Sequence, residues 1–467
     1  MRRIETDILV VGGGPAGLSA ATSAAGAGAR VDLVDAGAAP GGQYWMQDPV
    51  AGATTTQSAE GSAAIAAARA AGVAIHSGAE VWAAFPGGEI MAHDAEGPVV
   101  FQARSIVVAS GAQDRVYPFP GWTLPGVMTP GAGQRLAKLG KTAPGKRIAL
   151  AGNGPFLYAV AATLASIDAT PKLLLESGKA RAPMLGLLAR HPARIAEAVS
   201  LLAAARAVPN WRRGHVVTEA LGEDRVEAIR IAPVDDAGTV DTARSERIDG
   251  IDALLVGWGF RPMIELTALL RCRHAYDRAL GGWYCVASPA TGLTSVEGVY
   301  AAGEVTGIAG SRPARLSGAL AGLSAAAGLG FASPGNEERR KRLVRALASA
   351  RSFGHELGRL APPPAGIADL ANDDTIVCRC ENVTRGEIAA ALAEGTRAVA
   401  GAKMWTRAGM GRCQGRVCGS AVAEIAASLG GTEIAAAGFN PPRIPLRPVP
   451  LPAVLEATRA AGTGETH

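Results

Sequence analysis

Cysteine is sparse, with 6 in 467 residues. A small scaffold stapled by disulfides is thereby excluded. Aromatic residues make up only 4%, and the apolar mass is largely Ala, Val and Leu. Such residues suit tight helix-on-sheet packing better than an aromatic-lined pocket for a large apolar ligand. Charged residues are 19% against 48% hydrophobic, which excludes a disordered chain. Neither sign of charge dominates: 46 basic and 41 acidic side chains leave a net +5. The one short basic run is Arg339–Arg342. A nucleic-acid binder would carry a concentrated basic stripe with interleaved aromatics, so no nucleic-acid partner is expected.

No secretory signal is expected either. Arg2 and Arg3 are followed at once by Glu5 and Asp7, where a signal would be uncharged and apolar. Two uncharged stretches, Ile8 to Ala29 and Leu316 to Asn336, are long enough to span a bilayer. Both are full of Gly, Ala and Ser, so they read as buried structure and no transmembrane segment is expected. The expected location is the cytoplasm. At roughly 150 residues per domain, the length suggests about three domains.

What is present begins at Ile8–Val11, a short β-branched run ended by Gly12-x-Gly14-Pro15-Ala16-Gly17. That pattern is a buried parallel strand, a tight turn and a helix from Ala16 to Ala25. Arg30–Asp35 is the next strand, which completes a βαβ unit. Gly12 permits the turn, Gly14 lets the backbone approach a pyrophosphate, and Gly17 allows close helix-on-strand packing. Asp35, 18 residues after Gly17, can accept from ribose hydroxyls. A second unit opens with the strand Arg147–Ala151, the turn Gly152-Asn-Gly154 and a helix from Pro155 to Ile167. It continues with the strand Lys172–Glu176. Here Leu157 stands where a Gly or Ala would allow close packing, so the helix should sit further from its strand. Glu176 can accept from a 2′-hydroxyl. Two readings stand level for this unit: NAD or another adenine nucleotide, or a structural remnant that binds nothing.

The sharpest signal is Cys378-x-Cys380, then 32 residues, then Cys413-x4-Cys418. Four thiolates in two close pairs can ligate Zn²⁺ or a [2Fe-2S] cluster. The C-x-C spacing is unusual for structural zinc, and the cluster is the favoured reading. From Cys378 to Cys418 there are seven basic residues (Arg379, Arg385, Arg397, Lys403, Arg407, Arg412, Arg416) and three acidic ones (Glu381, Glu387, Glu394), a net +4. Such surroundings favour thiolates. A capping box, Thr384-x-x-Glu387, and Gly419-Ser-Ala start helices just after each cysteine pair, and their N-termini favour anions. Cys272 and Cys285 read as packed thiols, and the seven His as structural or solvated.

Two further strands end in glycine, Ser105–Gly111 (with Ser110 and Gly111 at its end) and Val299–Gly303, the latter followed by Glu304. With the first motif, this trio resembles the two-dinucleotide-binding-domain flavoproteins of glutathione-reductase-like fold, which implies FAD at the first site. That family reads Gly-Asp where this chain reads Gly303-Glu304, so the carboxylate's contact with FAD is expected to be indirect. The cysteine module resembles the bacterioferritin-associated-ferredoxin-like [2Fe-2S] domain. With Gly42-Gln43-Tyr44-Trp45, Gly121–Val127 and Gly152–Pro155, the chain resembles the α subunits of heteromeric flavin dehydrogenases. These include opine oxidases, hydrogen cyanide synthase and D-hydroxyproline or proline dehydrogenases. The resemblance places Gly42 and Gln43 on the flavin side, with Tyr44 and Trp45 either near the cofactor or in the core.

The expected fold is α/β. An FAD-binding domain spans 1–145 and 251–330, and a second nucleotide-binding-like domain spans 146–250. A helix and linker follow at 331–370, a [2Fe-2S] domain at 371–430 and an extended Pro-rich tail at 431–467. The resemblance also implies a hetero-oligomer with a substrate-oxidising flavoprotein β subunit, a small γ subunit in some cases, and peripheral membrane association through partners. The chain has no Cys-x-x-Cys beside a flavin strand, no nucleophile elbow, no HExxH and no convincing acid/base pair. The implied reaction is relay of electrons from a partner that oxidises an amine or imino acid. The rivals are a self-sufficient NAD(P)H-dependent reductase and a scaffold subunit with structural zinc.

Overall fold

A computed structural model describes residues 1–48, 55–178, 182–395 and 398–462. The chain forms two compact units, each assembled from separate stretches. One unit comprises Met1–Ala112, Pro262–His355 and the segment from Pro441, and the other comprises Gln113–Arg261 and Glu356–Asn440.

The first unit is built on a seven-stranded sheet. Arg2–Val11 is its central strand, flanked in parallel by Val31–Asp35 and Gly97–Val108, with Ala74–Ser77 beyond Val31–Asp35. The strand Gly97–Val108 serves two neighbours. It pairs antiparallel with Glu89–Asp94, while Ile106–Val108 pair in parallel with Val299–Ala301. Ile8, Leu9 and Val10 are fully buried, as a strand covered on both faces requires.

The helices Pro15–Ala25 and Ser311–Gly328 pack together through small residues. A Cβ at Gly318 would lie 2.0 Å from the Ala16 carbonyl oxygen, and one at Gly322 2.1 Å from that of Ala20. The Gly/Ala richness of both uncharged stretches is thus a close helix contact. No helix among the described residues is long and apolar enough to cross a membrane.

The second unit holds a parallel sheet in the order Asn210–Arg213, Leu173–Glu176, Ile148–Gly152, Ala253–Gly257, Val127–Met128. A three-stranded antiparallel sheet follows (His215–Leu221, Ala228–Pro233, Glu246–Asp249). The division therefore falls at Ala112/Gln113 and Arg261/Pro262, not near 145/146 and 250/251. The reason is that Ala253–Gly257 is as buried and apolar as any strand of the first sheet, yet it pairs with Ile148–Gly152.

Among the described residues the cysteine-bearing segment shares its core with the rest of this unit. Tyr117, Trp122 and Trp258 share one apolar cluster with Val377, Ile388 and Val422. It contributes a small hairpin, Ile376–Cys378 with Val383–Thr384, and the helices Arg385–Ala393, Val399–Thr406 and Gly419–Gly430.

The Pro-rich tail is not extended throughout. Leu446 N–H donates to the Trp82 carbonyl (2.7 Å) at the sheet edge, and Leu451–Gly462 is helical. Pro452 sits in that helix's first turn, where its missing N–H costs nothing.

Candidate cofactor sites

In the first unit the strand Arg2–Val11 runs into Gly12, whose φ is +108°. A Cβ there would lie 2.3 Å from the Ala109 carbonyl oxygen. At Gly17 it would lie 1.7 Å from the Gly12 carbonyl oxygen. Gly14 is the N-cap of Pro15–Ala25, Pro15 occupies the first turn, and no side chain caps the end. The free N–H groups and the helix dipole make an anion site of pyrophosphate type.

Asp35 stands at the end of the next strand. Its carboxylate accepts from Gly13 N–H (2.5 Å) and Gly37 N–H (2.8 Å), and burial pushes its pKa up. It braces the loop through both of these bonds. The Gly41 N–H donates to the Gly13 carbonyl (2.7 Å), which lays Gly42 against Gly14. Gln43 is exposed. Tyr44 is 39% exposed, whereas Trp45 is core and donates its indole N–H to Glu60 (3.2 Å).

The later motifs converge on this loop. A Cβ at Gly303 would lie 2.7 Å from that of Ala16, and Gly303 N–H donates to Ser317 Oγ (2.9 Å). Ser110 Oγ donates to the Met263 carbonyl (2.7 Å), and Gly111 has φ +75°. Glu304 Oε1 accepts from Gly310 N–H (3.1 Å) at the start of Ser311–Gly328, and burial raises its pKa.

A carboxyl with a raised native pKa contributes stability that is fully present below its unfolded value. That contribution is lost as pH rises through the native one. Glu304→Gln removes the loss and keeps an oxygen to accept from Gly310. The FAD-free variant is therefore expected to melt above FAD-free wild type near about pH 8, with the margin gone near about pH 4. Thermal melts at both values check this; a margin that widened on acidification would contradict it.

The second glycine turn is closed by the chain itself. Asn153 Nδ2 donates to the Ala361 carbonyl (2.5 Å), beside Gly152 and Gly154. Glu176 accepts from Tyr158 Oη (2.5 Å) and faces Arg213 Nε at 3.3 Å. Burial raises its pKa. Leu157, at the third position of the second glycine motif, is buried in one apolar cluster with Ile148 and Leu150.

The four cysteines of the second unit come together. Cys378 and Cys418 hydrogen-bond each other, as do Cys380 and Cys413. The first pair is buried, whereas Cys380 is exposed and Cys413 half-buried. The contact with Cys418 pulls the Cys378 thiol down to about 5, aided by Gly409 N–H on its sulfur (3.4 Å). The same contact and burial push Cys418 up. Among the described residues no three His, Cys, Asp or Glu side chains converge on one ion position. Four thiols in two contacting pairs are a donor set that suits a [2Fe-2S] cluster.

Thr384 and Glu387 form the capping box, with Thr384 N–H to Glu387 Oε2 at 2.7 Å and Glu387 N–H to Thr384 Oγ1 at 3.2 Å. Thr384→Ala is expected to cost about 1 kcal/mol in urea unfolding, with iron content unchanged. Loss of iron would show that this helix end holds the cluster and not merely the fold. Cys418 is the N-cap of Gly419–Gly430. Arg397 lies outside the described residues.

Sequence reasoning missed the supports of this loop. Asn440 Nδ2 donates to the Gln414 carbonyl (2.8 Å), and the Arg416 carbonyl accepts from Gln113 (2.5 Å) and Arg261 (2.9 Å). These partners are 26, 303 and 155 residues away, and no local pattern marks them. Cys272 and Cys285 are buried, bond each other and stand apart from the quartet in the other unit. Burial lowers His274 to about 4, and Thr267 bonds its ring at 2.8 Å, a structural role.

A nucleotide cradle in one unit and a sulfur quartet in the other define the class, a flavoprotein oxidoreductase with a fused iron–sulfur module. The chain belongs to the pyridine nucleotide-disulphide oxidoreductase family, whose model matches residues 6–326. Residues 376–428 match the BFD-like [2Fe-2S] binding domain. FAD and a [2Fe-2S] cluster are its cofactors.

The chain is 32% identical to an opine oxidase subunit from Rhizobium meliloti, over 95% of this chain and 97% of that one. It is 34% identical to hydrogen cyanide synthase subunit HcnB of Pseudomonas protegens, over 74% of each. An L-proline dehydrogenase from P. horikoshii shares the fold with a TM-score of 0.70 and 18% identity, over 97% of this chain and 80% of that one.

Proposed function

We propose that this chain is the electron-transferring subunit of a heteromeric amine or imino-acid dehydrogenase. A partner flavoprotein subunit oxidises an opine-like or D-hydroxyproline-like substrate, and this chain passes the electrons on. The observation that carries the reading is the paired sulfur quartet in a chain that also builds an FAD cradle. FAD takes up two electrons and the cluster carries one at a time, so together they can split a two-electron oxidation.

This chain's residues bind and orient. Gly12, Gly14 and Gly17 admit the pyrophosphate to the helix N-terminus, and Asp35 holds the loop in shape. Cys378, Cys380, Cys413 and Cys418 supply thiolates, and Gly409 N–H steadies one of them. Relatives named as subunits of an opine oxidase and a hydrogen cyanide synthase support a hetero-oligomer. The closed second turn, with Glu176 already engaged, supports a partner over NADH as electron source. None of the six cysteines forms a disulfide, which suits a reducing compartment, and we place the protein in the cytoplasm.

The test is anaerobic mixing of the purified chain with NADH, then of the chain and its co-purifying subunit with an opine or cis-4-hydroxy-D-proline. Bleaching of this chain's flavin is expected only in the second case. Bleaching by NADH within one turnover would replace this reading with a self-sufficient reductase.

A further inference from the structure

The helix Pro334–Leu360 carries Arg351, a cation that the family motifs do not include. Its guanidinium donates to Thr306 Oγ1 at 2.9 Å, and no carboxylate among the described residues pairs with it. Burial pushes its pKa down, with nothing acting the other way. Arg351 is half-buried, and a guanidinium partly withdrawn from water without a counter-charge is costly, since such groups are normally paired.

Its position is specific. Thr306 donates to the Gly303 carbonyl (2.7 Å), and Gly303 lies against Ala16 in the first turn of the pyrophosphate-binding helix. The helix is pressed onto this region by Gly354, one turn after Arg351, where a Cβ would lie 2.6 Å from Ala309 Cα. A close backbone approach therefore delivers the cation to the Gly303–Thr306 turn.

We propose that Arg351 is a cofactor-binding residue whose missing counter-charge is an anionic group of bound FAD. Two parts of FAD carry that chemistry: the pyrophosphate, and the N1–C2 edge of the reduced ring. The inference rests on FAD binding and not on the electron-relay reading, so it stands or falls separately from any partner.

The test uses full-length Arg351→Met, Arg351→Lys and Thr306→Val. FAD affinity is measured by titration of the stripped protein, and the flavin midpoint potential is measured on the reconstituted one. If the anion is the pyrophosphate, Arg351→Met weakens FAD binding about tenfold or more and leaves the potential in place. If it is the reduced ring, affinity for oxidised FAD holds and the potential falls. A tenfold loss of affinity for reduced FAD alone corresponds to about 30 mV for a two-electron couple. In both cases Arg351→Lys retains most of the effect, and Thr306→Val, which removes the hydrogen bond but not the charge, stays near wild type. The proposal is overturned if Arg351→Met changes neither quantity, or if Arg351→Lys or Thr306→Val matches it. Should Arg351→Met fail to fold, Arg351→Gln replaces it: loss of affinity or potential in Arg351→Gln with Arg351→Lys near wild type supports the charge, and no change in Arg351→Gln overturns the proposal.

Discussion

Cys378→Ala is expected to abolish the cluster while sparing the flavin. Iron should fall from two per chain to near none, and the rhombic paramagnetic signal after dithionite should vanish. FAD content should hold, because the glycine cradle lies in the other unit. Cys378 belongs to the buried sulfur pair and receives the Gly409 N–H. Its loss leaves one iron with a single thiolate and removes a polarised ligand that no water can replace in a buried position. Even changes in the residues behind metal ligands cost about 10–100-fold in metal affinity or activity, and loss of a ligand should exceed that. Partner-driven reduction of a one-electron acceptor should drop on the order of 100-fold or more. Cys380→Ser is the informative contrast. Cys380 is exposed, and a serine oxygen with solvent access can partly substitute, so some iron should remain. Equal metal loss in both variants would contradict the inner and outer pairing. A zinc-bearing wild type without the paramagnetic signal would remove the relay role.

Gly17→Val is expected to yield protein without FAD. The added Cβ would stand 1.7 Å from the Gly12 carbonyl oxygen, with Val10 Cγ1 at 3.4 Å behind it. Backbone has to move, and the atom that must give way belongs to the turn that admits the pyrophosphate. Overpacking of a filled site costs about 1–3 kcal/mol, so the unit should still fold, at a lower melting temperature. Flavin absorbance of the purified variant and its melting temperature check both parts. Stoichiometric FAD would show that close packing at this turn is not what the cofactor needs. The second unit carries a bulky residue at the corresponding motif position. Leu157 fills the matching position, and its side chain belongs to the core with Ile148 and Leu150.

Much of this was legible because it is local. Ile8–Val11, Gly12–Gly17 and Val31–Asp35 announce a βαβ unit within 30 residues, and Thr384-x-x-Glu387 announces its own helix start. Spacing also gave the thiol quartet, since two close pairs need only one loop closure to meet. Assignment of strands to sheets was not legible. Ala253–Gly257 looks like any buried parallel strand, and only its partner Ile148–Gly152 tells which sheet it joins. The shared core beneath the cysteines was equally hidden, because Trp122 reaches the Ile376 carbonyl (2.5 Å) across 254 positions. Glu304 kept the acidic character of the late motif, yet its extra methylene let it fold back to Gly310. Arg351 carries no local signal at all, since a single arginine in a charged helix reads as solvated.

The interlaced layout has a consequence for biosynthesis. The strand Arg2–Val11 is made well ahead of its partners: its sheet gains Val299–Ala301 only after some 290 further residues, and its edge is met by Leu446 later still. The segment of the sulfur-quartet unit that runs to Asn440 is made before the flavin unit receives the segment from Pro441. A ribosome thus releases neither half early, and assembly waits on pairings distant along the polypeptide, which form slowly and leave apolar edges open meanwhile.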